Sequence, residues 1–364
     1  MKHLMTTTFL IALAPAAIAE GFKDLDMADG KVGTRAEALP MEQFCGDKPL
    51  RVAYSDGWGG NFWRRATRAE FEEEAAKCPN ITEVRYTDAE GNPQKQISDI
   101  QGLIAQGFDA IIVQPDGGAA IVRAMRQAMD QGIAVVPFET GNTFPGTPGT
   151  DYVVNVSPDV VGIGRTSAEW VVNALGGEGN VVVMGGTPGN SYTANQAIGW
   201  KEVFDATPGI TVLEGPVVTN WDPAKAQQVM TAMLSKYEAI DGILSETSGP
   251  IRAYQAAGKS VPAWVGQDGN ELSCLYKELS PEMGDFQMAN LESHTWTSRI
   301  ALRKAVAAAN GMNNPEPSII EVPLFEDSLS DDPALAVKCD PDLAAGAILS
   351  AGIDKAKQQE MLGQ

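Results

Sequence analysis

From residue 50 onward, short apolar runs rich in β-branched side chains alternate with longer stretches in which apolar residues recur every three or four positions. The runs at 50–55, 81–87, 110–114 and 133–138 predict strands, and the stretches between them predict helices: one ending near Lys77, one over 93–106 and one over 118–130. Ile97, Ile100 and Ile104 make the apolar stripe of the second helix, and Ile121, Ala124, Met125 and Ala128 that of the third, so these are core positions. The pattern breaks at 141–150 (GNTFPGTPGT), where glycine and proline fill half the positions, and then restarts. Strands are expected at 152–156, 180–184, 210–213, 241–245 and 263–266. The helices between them carry Val161, Gly164, Ala168, Val171 and Leu175 on one face, lie around 194–206, present Ala226, Val229, Met230 and Met233, or end at Ala257.

The end of the chain departs from this alternation, with a strand expected at 285–290, a long helix at 294–310, a last strand at 317–325 and an irregular acidic tail. Strand–helix alternation calls for parallel sheets covered by crossover helices. The chain therefore reads as α/β, with two Rossmann-like lobes: an N-terminal lobe of 45–156 plus 291–322, and a C-terminal lobe and tail of 157–290 plus 323–364. Repeated crossing between the lobes makes a hinge and turns the strand C-termini of both sheets toward one cleft, where such sheets hold ligands.

The first residues add a compartment. Lys2, an apolar run over 4–18 and the small-residue pattern Ala17-Ile18-Ala19 read as a secretory signal over 1–19, cut before Glu20. The run is too short to span a bilayer, and no cysteine follows the cut directly, so a soluble periplasmic protein is expected. Four cysteines in an exported chain invite pairing, and three connectivities are open to them. Topology favours Cys45 with Cys78, both at the lobe end away from the strand C-termini, which leaves Cys274 for Cys339. A net charge of −20 argues against nucleic acid or an anionic membrane as partner.

Candidate chemistry gathers at the strand ends. Ser55 to Trp63 (SDGWGGNFW) combines a glycine-rich turn, a helix start and the aromatic residues Trp58, Phe62 and Trp63. Sugars expose apolar C–H faces rimmed by hydroxyls, which suits such a platform; the competing reading, a first-turn core residue, weighs most on Phe62. Gln114-Pro115-Asp116, Glu139-Thr140, Gln196, Trp221-Asp222, Glu246-Thr247, Gln267-Asp268 and Asn290 supply amides, hydroxyls and carboxylates that can satisfy a polyhydroxylated ligand. Asp222 before Pro223 and Asp116 before Gly117 read as helix caps. The only histidines are His3 and His294, so no Ser-His-Asp or multi-histidine metal site is expected. No EF-hand spacing is present, and Gly185-Gly186-Thr187-Pro188-Gly189 lacks the dinucleotide fingerprint and the P-loop lysine. No metal, cofactor or catalytic residue is expected.

Taken as an ordered set, Gly60-Asn61-Phe62-Trp63, the run from Asp109 to Pro115, the run from Val135 to Thr140, Gly199-Trp200, Asp241-Gly242-Ile243 and the run from Val265 to Gly269 resemble the periplasmic sugar-binding proteins of ABC transporters, the ribose-binding-like type I group. The resemblance covers about residues 48–325. It implies two lobes joined by a multi-crossover hinge, and ligand contacts from Phe62, Trp63, Gln114, Glu139, Gln196, Trp221, Thr247, Asp268 and Asn290. It also implies a monomeric, non-enzymatic receptor that closes on a small neutral sugar or polyol and hands it to a membrane permease. An Asp-Arg pair is common in the family where Glu139-Thr140 stands, an arginine where Gln196 stands and an asparagine where Thr247 stands; losing both arginines argues against ribose itself. Regulators with the same lobes carry a DNA-binding headpiece where this chain has its signal. Two other readings share the pattern: a secreted carbohydrate hydrolase using two carboxylates, and a sensory module for the same ligand class.

Overall fold

The computed structural model describes residues 21–283 and 286–363, so the signal reading at 1–19 lies outside the described residues. The chain begins with β1 (Val32–Gly33), then runs through β2 (Leu50–Asp56), α1 (Phe62–Ala75), β3 (Ile81–Asp88), α2 (Pro93–Ala105), β4 (Ala110–Gln114), α3 (Ala119–Met129) and β5 (Ala134–Pro137). After β6 (Ser157–Pro158) come α4 (Val160–Ala174), β7 (Gly179–Gly185), α5 (Ser191–Asp205), β8 (Ile210–Val218), α6 (Pro223–Lys236), β9 (Gly242–Leu244), α7 (Gly249–Ala257), β10 (Ala263–Gln267) and α8 (Asn270–Leu279). The rest is β11 (Met288–Leu291), α9 (Thr297–Ala309), β12 (Ile319–Ile320), β13 (Leu324–Asp327) and α10 (Lys355–Leu362).

Three sheets result. The first is parallel with order β3-β2-β4-β5; the second has order β13-β11-β10-β9-β7-β8 and is parallel except for its antiparallel edge β13. A small parallel sheet, β1-β12-β6, forms the hinge, with Ile319 beside both Val32 and Ser157. The expected strand at 152–156 is extended chain held by isolated bridges, Phe138 to Val156 among them. The expected strand at 317–325 is two strands in different sheets, because the chain leaves the hinge at Val322-Pro323 before joining β11. Helix α9 returns to the first sheet and buries Ile300, Leu302 and Val306.

Strand ends become helix starts through short polar caps, and this aims helix N-termini at the cleft. Asn61 accepts from the Arg64 amide, Asn92 from Gln94 and Lys95, Asn190 from Tyr192 and Thr193, and Asp222 from Ala224 and Lys225. Asp222 is thus the cap its sequence suggested. Asp116 is not, since Gly118, at φ 53°, occupies that position before α3.

Both disulfides form as topology favoured, Cys45–Cys78 with Cα atoms 5.4 Å apart and Cys274–Cys339 at 4.7 Å, inside the usual range for a bridge. The second one fixes the tail, which is irregular as expected up to α10 but is held in place by specific bonds. Asn270 donates to the carbonyls of Asp340 and Leu343, both at 2.9 Å, and Asp268 accepts from the Ser350 amide at 2.9 Å. Two residues later the chain reaches the other lobe, where Gly352 donates to Glu70 of α1 at 2.7 Å. Ile348 and Ile353 pack on Ala66 and Ala69 of the same helix. The tail thus contacts both lobes, bonding β10 and α8 through Asp268 and Asn270 and resting its last residues on α1.

Candidate ligand-binding cleft

The strand C-termini of the two large sheets face a cavity of about 590 Å³, within the ~300–1,000 Å³ typical of small-molecule sites. Its first wall is organised by charge. Asp56, fully buried at the end of β2, and Asp116, after β4, share the Arg64 guanidinium at 2.6 and 2.8 Å. The Tyr86 hydroxyl donates to the other Asp56 oxygen at 3.0 Å. Burial and the neighbouring Asp56 carboxylate hold the Asp116 carboxyl above its ordinary range despite Arg64. Gln114 accepts from the Tyr54 hydroxyl at 2.6 Å. The Trp58 indole lies over Gly60 so closely that a Cβ there would meet the ring at 2.5 Å.

A polar relay joins the lobes behind the cavity. Glu139, a non-glycine residue at φ 59°, points its carboxylate at His294 Nδ1, 2.9 Å from Oε2, and accepts from the Thr297 hydroxyl. His294 Nε2 lies 3.0 Å from the Tyr192 hydroxyl of α5 and 2.9 Å from Gln267 Nε2 at the end of β10. Burial works against an imidazolium here, but the Glu139 and Glu246 carboxylates outweigh it and lift the His294 pKa above the usual histidine value. Trp63 also ties to this crossover, its Nε1 donating to Ser293 at 3.0 Å. The rings of Trp63, His294, Tyr192 and Trp221 follow one another at centroid spacings of 5.5, 5.6 and 6.3 Å, making an aromatic floor that runs from one lobe to the other.

The second wall centres on Glu246, which follows β9. One of its oxygens accepts from Gln196 Nε2 at 2.7 Å and the other from Trp221 Nε1 at 2.6 Å. Burial pushes this carboxyl up, against the hydrogen bond from Gln196. Asn220 and Trp221 sit at φ 57° and 53°, a left-handed pair that holds the indole over Gly186, where a Cβ would meet it at 2.2 Å. Left-handed non-glycine residues carry strain of about 1–3 kcal/mol each and persist only where surrounding contacts enforce them. The Thr247 hydroxyl is buried without a partner among the described residues.

Of the residues singled out in the sequence, Trp58, Trp63, Gln114, Glu139, Trp221 and Thr247 meet around the cavity. Gln196 stands behind the wall and holds Glu246, beside a small separate void. Phe62, Asp268 and Asn290 do not line the cavity. Phe62 packs beside the tail cluster with the Arg65 guanidinium over its ring. Asp268 is enclosed, accepting from the Ser293 amide and from the Ser350 amide and hydroxyl, and burial pushes its carboxyl up to about 7. Asn290 donates to Glu326 at 2.7 Å and so joins β11 to the edge strand β13. The cavity also recruits Arg64, Asn190, Tyr192, Asn220 and His294, which the sequence reading passed over. For His294 a signal existed: it lies between a strand end and a long helix, where the chain crosses lobes.

Two parallel sheets whose C-terminal ends close on a shared cavity, with the chain crossing a hinge, define a two-lobed solute-binding architecture. The chain belongs to the periplasmic binding protein domain family, whose model matches residues 52–312. It is 31% identical over 243 residues to the xylitol-binding protein of Mycolicibacterium smegmatis, covering 65% of this chain and 66% of that protein. The ribose import binding protein of Bacillus subtilis is 27% identical over 204 residues, covering 55% and 63%. These matches span about two-thirds or less of the relatives' own lengths. Among solved structures, a Caulobacter myo-inositol binding protein bound to myo-inositol superposes with a TM-score of 0.67 at 27% identity, covering 77% of this chain and 94% of that one. An ABC transporter solute-binding protein from Thermobispora bispora shares the fold at a TM-score of 0.68 and 22% identity, covering 86% and 95%.

Proposed function

We propose that this chain is the extracytoplasmic receptor of an ABC importer and captures a monosaccharide or polyol between its lobes. The observation that carries the reading is the convergence of Trp63 from α1 and Trp221 from the second lobe on one cavity whose rim alternates amides, hydroxyls and carboxylates. Indole faces cover the apolar side of a sugar ring while amide and carboxylate groups take its hydroxyls. Threonine and glutamine rather than arginine stand at positions 140 and 196, which argues against ribose, and two similar proteins are a xylitol-binding protein and a myo-inositol binding protein. Binding energy then favours the closed form, which a permease distinguishes from the open one. The protein acts as a monomer in the periplasm and returns its ligand unaltered.

A thermal-shift screen across pentoses, hexoses and polyols tests this, because a ligand selective for the folded chain raises the melting temperature in proportion to RT ln(1 + [L]/Kd). A cognate compound should also change tryptophan emission through Trp63 or Trp221 and be recovered intact. A screen in which no sugar or polyol shifts the transition would reject the assignment.

A further inference from the structure

Cations and anions around the cavity are unequally matched. Among the described residues Arg64 is the one guanidinium or ammonium lining it, and Asp56 and Asp116 both bind that group, at 2.6 and 2.8 Å. The His294 imidazole is held by Glu139 at 2.9 Å. Glu246 differs: among the described residues it has no ion pair of its own, since the nearby His294 imidazole is engaged by Glu139, and its donors, Gln196, Trp221 and the Tyr192 hydroxyl, are all neutral. A carboxylate offers about four acceptor positions, so roughly one remains on a group that lines the cavity.

We infer that the ligand bears a protonated amino group beside its hydroxyls and that Glu246 receives it, making this a receptor for an amino sugar or amino polyol. The inference rests on the sugar-or-polyol reading of the cleft and narrows it by charge. Three indoles, Trp58, Trp63 and Trp221, line the same cavity, and indole faces attract cations more strongly than other aromatic rings do. A half-buried carboxylate with no ion pair of its own gains from a charged partner, and a ligand ammonium supplies one. The Trp221 and Gln196 bonds keep the carboxylate from turning away, so its free acceptor position is already aimed. The unpartnered Thr247 hydroxyl is next in sequence to Glu246 and adds an acceptor for a second N–H. Anionic sugars are disfavoured by the same arrangement, since they would face Glu139, Glu246 and Asp116 with no free cation to receive them.

The test is calorimetric titration of the full chain at neutral pH with matched pairs: glucosamine and glucose, galactosamine and galactose, and an amino-inositol and myo-inositol, each amine also as its N-acetyl form. For the pair that fits, the amine should bind at least about tenfold tighter than both uncharged forms. Glu246→Gln should reduce that preference to within about threefold, read as the ratio of amine to hydroxyl affinities so that any general loss of binding cancels. A Glu246→Asp variant, which keeps the charge on a shorter arm, guards against misfolding of the first and should retain more of the preference than Glu246→Gln does. Equal or tighter binding of the neutral partner overturns the inference and leaves the sugar-or-polyol reading standing, as does a preference that survives in Glu246→Gln. Failure of every amine to bind also overturns the inference; the sugar-or-polyol reading falls with it only if the wider thermal-shift screen is blank as well.

Discussion

The two walls of the cleft use similar side chains for different ends. On the first, an arginine lies between two aspartates, so its charges bind one another and the tryptophans beside them rest on a rigid base. On the second, a half-buried glutamate is bonded only to neutral donors, an amide, an indole and the Tyr192 hydroxyl. Ion pairing of the first kind fixes geometry and leaves little for a ligand, since the groups are already satisfied. A carboxylate satisfied by neutral donors retains its charge for whatever enters. Carboxylate count alone would rank the first wall as the stronger site; the partners reverse that order.

Breaking the first wall should have the largest effect. Arg64→Met leaves Asp56 buried with no cation beside the Asp116 carboxylate, and loss of one partner from the buried Arg64–Asp56 pair is expected to lower folding stability by about 3–5 kcal/mol, read from urea or thermal melts. A variant as stable as the parent would show that this wall is not locked by charge. Trp221→Ala should weaken the cognate ligand by about 2–3 kcal/mol in calorimetry, with a smaller change in the melting temperature of the free chain. Gly186→Ala sets a methyl against the same indole, at 2.2 Å in the present geometry; displacement of the ring should cost about 1–2 kcal/mol of affinity, and unchanged binding would mean the ring is not held where it acts.

Asp268 sharpens the comparison most gently, as a carboxylate at a neighbouring strand end with no part in the wall. Its folded pKa, raised by burial to about 7, lies above the unfolded aspartate value. The folded chain therefore holds a proton that the unfolded chain releases. The resulting stability is fully present below about pH 4 and is lost as pH rises through about 7, by at most about 1.4 kcal/mol per pH unit. Glu246 and Asp116, also raised, act in the same direction. The difference between parent and Asp268→Asn isolates this one group, and identical slopes in the two would remove it from the account.

Much of the fold could be read from periodicity, because strands buried on both faces show as apolar runs and polar caps follow them directly. The hinge could not, since β1, β6 and β12 are two residues each and have no pattern to show. Helix α8 was hidden by its buried polar side chains: Asn270 and Ser273 sit on its inner face because the tail and Glu326 bond them there. At the site, residues whose position follows from a strand end or first helical turn were legible, Trp63, Gln114, Glu139 and Trp221 among them. Roles set by distant partners were not. Asp116 meets Arg64 from 52 positions away, and His294 meets Glu139 across 155. Glu246 and Asp268 look alike in sequence, and only the arrival of Ser350, 82 residues downstream, gives the second a structural task.

That arrival has a mechanical result. Ser350 is moored to the second lobe through Asp268 and Gly352 to the first through Glu70, so the two moorings are joined by two residues of chain. Extended polypeptide spans at most about 3.6 Å per residue, which gives this tether a reach of roughly 7 Å. Any wider separation of the lobes at this edge requires one mooring to give, either Ser350 leaving Asp268 or Gly352 leaving Glu70. How far the jaws can part is thus governed by the last stretch of the chain as well as by the hinge.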